Sequence, residues 1–118
     1  MKILQFYLEQ IQHEKTMTTF LSNFKRIIKF TSEKDHSIGL LRYKSIPENI
    51  AFLFEFENDK IRNFHSVGMK FNIDIFFYDK HGDLIINYKN IKPGIKKISS
   101  KEECRFAIET LSRENIKM

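Results

Sequence analysis

Between Ile50 and Phe56 the bulkiest apolar side chains recur at every second residue. Ile50, Phe52, Phe54 and Phe56 share one face, and Ala51, Leu53 and Glu55 share the other. That is the period of a strand. Upstream the period is helical. Ile3, Leu4, Tyr7, Leu8 and Ile11 recur three and four residues apart, and Met17, Phe20, Leu21 and Phe24 continue the spacing. The pattern predicts a helical leader over Met1 to Asn23. Thr16, Thr18 and Thr19 weaken it near Lys15–Thr19. One interrupted helix and a helix running into a strand both fit, and the β-prone Ile27, Ile28 and Phe30 favour a strand over Lys25–Thr31. Ser32 then has the chemistry of a helix cap, with Asp35 in the first turn and Gly39 near the end of a short helix.

The rest of the chain is short apolar segments separated by turn residues. Pro47 marks a turn, and Glu57-Asn58-Asp59-Lys60 reads as a polar loop. The run Phe64–Asp79 is dense in aromatic and aliphatic residues, with a strand over Ile73 to Tyr78. Asp79-Lys80-His81-Gly82 has hairpin chemistry, and Leu84 to Tyr88 returns. Pro93-Gly94 turns again, Ile95 to Ile98 gives a short strand, and Phe106 to Leu111 the last. The expectation is a mainly β (β-rich α+β) protein, a small antiparallel sandwich or barrel with an added N-terminal helix. The divisions are a helical leader (1–24), a compact β domain (25–112) and a polar tail (113–118).

Composition narrows the picture slightly. The 118 residues are 42% hydrophobic and include twelve Phe, enough for one core. Net charge is +5, and Lys89, Lys92, Lys96, Lys97 and Lys101 occur without an intervening acid. That stretch reads as an anion-facing patch or as a solvated edge guarded by lysine. Arg, the preferred base-reading residue, is absent from it, which argues against nucleic acid. Cys104 is the one cysteine, so no internal disulfide forms and a reducing, cytoplasmic setting is expected. Cys104 reads as a small buried residue rather than a nucleophile. No segment has the length of a membrane span.

Three ordered blocks carry a resemblance. Gly39-Leu40-Leu41-Arg42 with Ile46 is similar to a GLM-R-x-x-L turn. Ala51-Phe52-Leu53-Phe54-Glu55-Phe56 is similar to a GMLFxF strand, with Ala51 and Phe52 in place of Gly and Met. The third block is Phe64-His65-Ser66-Val67-Gly68-Met69-Lys70-Phe71-Asn72-Ile73-Asp74, followed by Phe77, Asp79, Gly82 and Leu84. Ile91-Lys92-Pro93 and Ala107-Ile108-Glu109-Thr110 complete the order. The pattern, spanning about Phe30 to Leu111, resembles domain-of-unknown-function family 192. Asn72 departs from the family's Pro, and no Gly follows Leu111. The resemblance implies a compact, jelly-roll-like or barrel-like β domain and no particular activity. It leaves the leader from Met1 to Asn23 outside the family; leaders of similar look begin some proteins of large tailed phages, which suggests a phage-encoded accessory or assembly protein.

In this family pattern His65 and Asp74 lie on adjacent segments and are expected to meet Arg42 and Glu109. The resulting candidate pocket is Arg42, His65, Met69, Asp74 and Glu109, with Arg42 for a small anion and His65 and Asp74 for hydrogen bonds or proton transfer. The alternative is that Arg42 forms a buried structural pair with Asp74 or Glu109. A metal set of His65, Asp74, Asp79, His81 and Asp83 matches no known spacing, so no metal and no cofactor is expected. Neither a nucleophile elbow nor a phosphate-cradling Gly loop is present. The leading expectation is a non-enzymatic binding or accessory module whose leader helix engages a protein partner or packs on its own sheet. A small hydrolase using His65 and Asp74, and a basic nucleic-acid accessory protein, are the alternatives.

Overall fold

A computed structural model describes residues 13–113. Helix α1 (Met17–Leu21) is followed by β1 (Arg26–Phe30), α2 (Glu33–Ile38) and a 3-10 turn (Gly39–Arg42). Then come β2 (Ile50–Lys60), β3 (Asn63–Phe64), β4 (Ile73–Tyr78), β5 (Leu84–Ile91), β6 (Ile98–Ser99) and β7 (Cys104–Leu111). Five strands form one open sheet in the order β1-β2-β7-β4-β5, and β3 and β6 form a second small sheet. The protein is mainly β, as its turn spacing predicts. Two details differ from a wholly antiparallel or closed arrangement. Strand β1 lies parallel to β2, because the segment containing α2 and the 3-10 turn carries the chain back to the same end. Strands β1 and β5 are the two edges of the large sheet and do not pair with one another.

The register defines two faces. Phe52 and Ile75 flank Glu109 across the sheet, and Phe54 and Phe77 flank Ala107. These residues share face A, whose core includes Phe30, Leu40, Ile73 and Cys104. The small sheet covers this face: the Phe64 ring lies 5.1 Å from Phe54 and 5.4 Å from Phe77. Face B carries Ala51, Leu53, Phe76, Tyr78 and Ile108. Helix α1 covers it through Phe20, which is 5% exposed and has its ring 4.3 Å from Phe76. Both faces of β4 are therefore covered, and all six of its residues are buried. That explains a continuous apolar run where alternation is the usual sign of a strand.

Local chemistry sets several boundaries. Ser32 Oγ accepts the Asp35 amide at 3.0 Å, as its position in the sequence predicts. Gly82, at φ 80°, lets the β4–β5 hairpin turn. The expected loop at Glu57–Lys60 is instead the end of β2, with a bulge between Glu55 and Lys60. Its polar side chains serve the strand rather than a turn: Asp59 Oδ1 accepts from Arg105 Nε at 2.9 Å. Within the leader, Phe20 and Phe24 pack on the chain's own sheet. The expected apolar stripe Ile3, Leu4, Tyr7, Leu8 and Ile11 lies outside the described residues. Among the described residues no helix is long and apolar enough to cross a membrane.

Candidate functional site

Among the described residues, the buried centre of face A carries one acid. The alternation of β7 sends Ala107, Glu109 and Leu111 to that face, so the carboxyl of Glu109 stands between Phe52 and Ile75. Glu109 is 3% exposed and has no hydrogen-bond or ion-pair partner among the described residues. Burial alone pushes its pKa from 4.5 up to about 8, and no neighbouring charge counteracts it. At neutral pH the group is mainly a protonated carboxyl, an O–H donor rather than an anion.

Above Glu109 opens a cleft of about 450 Å³. One wall is α2 and the 3-10 turn, presenting His36, Gly39 and Leu40; the opposite wall is the segment from Ile61 to His65, with Met69 beside it. Phe54 and Phe56 of β2, with Phe64 of β3, give the lining its aromatic character. Gly39 lets the first wall approach: a Cβ there would lie 3.4 Å from the Phe54 ring, at a φ of +48° that side chains avoid. His36 packs 4.7 Å from the Phe56 ring and donates from Nε2 to the Phe30 carbonyl at 2.7 Å. His65 Nδ1 accepts the Val67 amide at 3.2 Å, so a neutral ring carries its proton on Nε2. Arg62 lies with its guanidinium 4.0 Å from the Phe56 centroid. Its terminal nitrogen donates to the Asn58 carbonyl at 2.5 Å and to Asn58 Oδ1 at 2.8 Å. Its Nε is buried without a hydrogen-bond partner, while the Arg62 side chain as a whole lies near enough to the Cys104 thiol to stabilise its charged form.

Of the five residues of the expected pocket, His65, Met69 and Glu109 line this cleft. Arg42 does not line it. Its Nε donates to the Gly39 carbonyl at 3.0 Å and its NH2 pairs with Asp35 at 3.2 Å, with the guanidinium 4.6 Å over the Phe30 ring. Arg42 therefore braces the helical wall from behind, and its acid is neither Asp74 nor Glu109. Asp74 pairs with Thr110 across the sheet and points to face B, away from the cleft. It is 1% exposed. Its Oδ1 accepts the Asn90 amide at 2.8 Å and its Oδ2 the Arg113 amide at 3.4 Å. Asn90 sits where β5 slips register against β4, at a φ of 53°. Asp74 thus satisfies an amide that the ladder leaves open at the bulge. Burial still raises its pKa, against the pull of those amides.

His65 and Asp74 consequently form no acid–base dyad, because the sheet lies between them. Asp79 Oδ1 accepts the His81 and Asp83 amides at 2.9 and 3.0 Å, so that carboxylate serves the hairpin turn. Lys89 is bound to Glu14 at 2.5 Å, while Lys92, Lys96, Lys97 and Lys101 are exposed. Cys104 is fully buried and its thiol pKa is pushed up by burial, the opposite of what a nucleophile needs. Sequence reasoning missed Arg62 and His36. The only signal for Arg62 was a cation just before an apolar block, which ordinary loops also show.

Two solved structures share the fold. One is the crystal structure of a putative transcription regulator from Sinorhizobium meliloti 1021, with a TM-score of 0.69 and 16% identity over 77% of this chain and 74% of that one. The other is a protein of unknown function from Novosphingobium aromaticivorans DSM 12444, with a TM-score of 0.68 and 12% identity over 77% of this chain and 65% of that one. No curated protein sequence matches the chain. The family match runs over residues 16–114, so α1, which the resemblance had left outside the family, falls inside it. The model matched is DUF192 (Uncharacterized ACR), and over that span the chain belongs to this family.

Proposed function

We propose that the protein is a binding module that takes a small molecule into the cleft over Glu109. The observation that carries this is the carboxyl itself. An unpartnered acid in a sheet core costs stability and gives the fold nothing in return. Buried polar groups without partners are uncommon, and they are better explained by a role than by packing. Here the carboxyl faces open volume lined by aromatic rings, the composition of a ligand site with one orienting polar group. The ligand's body would lie among Phe54, Phe56 and Phe64, and a hydrogen-bond acceptor would meet the Glu109 proton.

Protein docking by the leader rests on the positions upstream of Met17, since Phe20 and Phe24 serve the chain's own core. The test is an amide ¹H–¹⁵N NMR titration of the wild type and Glu109→Leu with a library of small aromatic fragments of mixed charge. Saturable shifts confined to Gly39, Phe54, Arg62, Phe64 and Glu109, and lost in a folded Glu109→Leu, are expected. Absence of saturable shifts at these residues, or shifts unchanged in the variant, would overturn the proposal.

A further inference from the structure

The cleft lining carries one permanent charge, the Arg62 guanidinium, beside two imidazoles and one carboxyl. From α2 comes His36, from the 61–65 segment come Arg62 and His65, and from β7 comes Glu109. Arg42, the cation of the 3-10 turn, is turned back onto Asp35. No other carboxylate lines the cleft among the described residues. Among the described residues Arg62 Nε is a buried polar atom without a hydrogen-bond partner, and the Glu109 carboxyl stands at the floor of the cleft in a residue 3% exposed. Both are donors at neutral pH, because an uncharged carboxyl offers its proton and a guanidinium has no acceptor. Phe54, Phe56 and Phe64 stand with them in the same lining. An organic cation would meet the aromatic rings favourably, but it would enter past Arg62 and two imidazoles.

We infer that the ligand of this cleft is a small organic acid with a flat apolar body, its anionic group held at the Arg62 and His65 side and its body against Phe54, Phe56 and Phe64, with a second acceptor reaching Glu109. This rests on the cleft being a ligand site, and it adds the sign of the ligand's charge. Arg suits such an anion because the guanidinium gives charge-assisted, directional hydrogen bonds. The cation that sequence reasoning assigned to this task, Arg42, is replaced by Arg62, twenty residues downstream.

Three probes of one shape and different charge test it: benzoate, benzamide and benzylamine, each titrated by amide NMR into the full chain at pH 7. Benzoate is expected to saturate the cleft at millimolar concentration, the range reached by fragments of this size. Its Kd should weaken about tenfold or more in Arg62→Gln, and by less in Arg62→Lys, which keeps the charge but loses the planar fork and its stacking on Phe56. If benzamide or benzylamine saturates the same residues and benzoate does not, the charge assignment is overturned while the ligand site stands. If none of the three shifts the cleft residues, the inference falls. If the fragment library also fails, the site falls with it. Benzoate binding that is equal in wild type and Arg62→Gln also overturns it, and this arm uses only variants whose spectra outside the cleft match the wild type.

Discussion

Replacing Glu109 by Gln removes the ionisation and leaves the shape, so the pair isolates the burial of the acid. In the unfolded chain the carboxyl titrates near 4.5, and in the folded chain near 8. Between these values the folded state holds a proton that the unfolded state has released. The contribution of Glu109 to wild-type stability is therefore most favourable below pH 4.5, falls as pH rises through the window, and levels off above 8. The slope is about 1.36 kcal/mol per pH unit, so the 3.5 units between 4.5 and 8 remove about 5 kcal/mol, of which about 3 kcal/mol is already lost at pH 7. Glu109→Gln has no such term. Asp74 also titrates with a raised pKa, but it is common to both chains and cancels in the difference. Urea unfolding at pH 4, 5.5, 7 and 9, followed by circular dichroism, reads the effect. The two midpoints should lie close together at pH 4, and the variant should lead by at least roughly 2 M at pH 9. Parallel curves across the range would refute the reasoning, because Glu109 would then be either solvated or already paired, and the cleft would have no proton to offer.

Three further outcomes follow from the packing. Phe20→Ala removes a buried ring from face B and should cost about 3–5 kcal/mol in chemical unfolding; a loss below about 1 kcal/mol would mean that α1 is an appendage. Asp74→Ala leaves the Asn90 and Arg113 amides without their acceptor and should cost about 1–3 kcal/mol. Hydrogen exchange at those two amides should quicken in that variant, and unchanged protection would remove Asp74 from its bracing role. Gly39→Ala sets a Cβ against the Phe54 ring at a positive φ and should cost about 1–3 kcal/mol by thermal denaturation; a neutral result would mean that the helical wall has room to retreat.

What could be read from the sequence was what is local. The alternation of Ile50–Phe56, the Ser32 cap and the Gly82 hairpin each depend on neighbours a few residues away, and each is where the pattern puts it. The parallel pairing of β1 with β2 depends on where a long crossover ends, which alternation does not encode. The site divides in the same way. Asp74 and Glu109 both appear as acids inside apolar runs. In β4 both faces are buried, so Asp74's neighbours give no sign of which face it takes. Only the register, with Ile75 opposite Glu109 and Asp74 opposite Thr110, puts one acid under the cleft and the other behind the sheet. Arg42 was visible as a cation in a motif, but Asp35, seven residues before it, claims its charge.

The position of β7 bears on how the chain is made. It is the last of the described strands in sequence and the middle strand of the large sheet, with β2 on one side and β4 on the other. During synthesis the β1–β2 pair and the β4–β5 hairpin can form, but they cannot join until β7 has emerged. Until then β2 and β4 each present an unpaired apolar edge, the kind of surface on which nascent chains stick to one another. Truncation a few residues inside Leu111 would thus cut away the joint between two half-sheets rather than trim a terminus. The residue that distinguishes the cleft, Glu109, is delivered by that same closing segment, so the site comes into being only with the completed sheet.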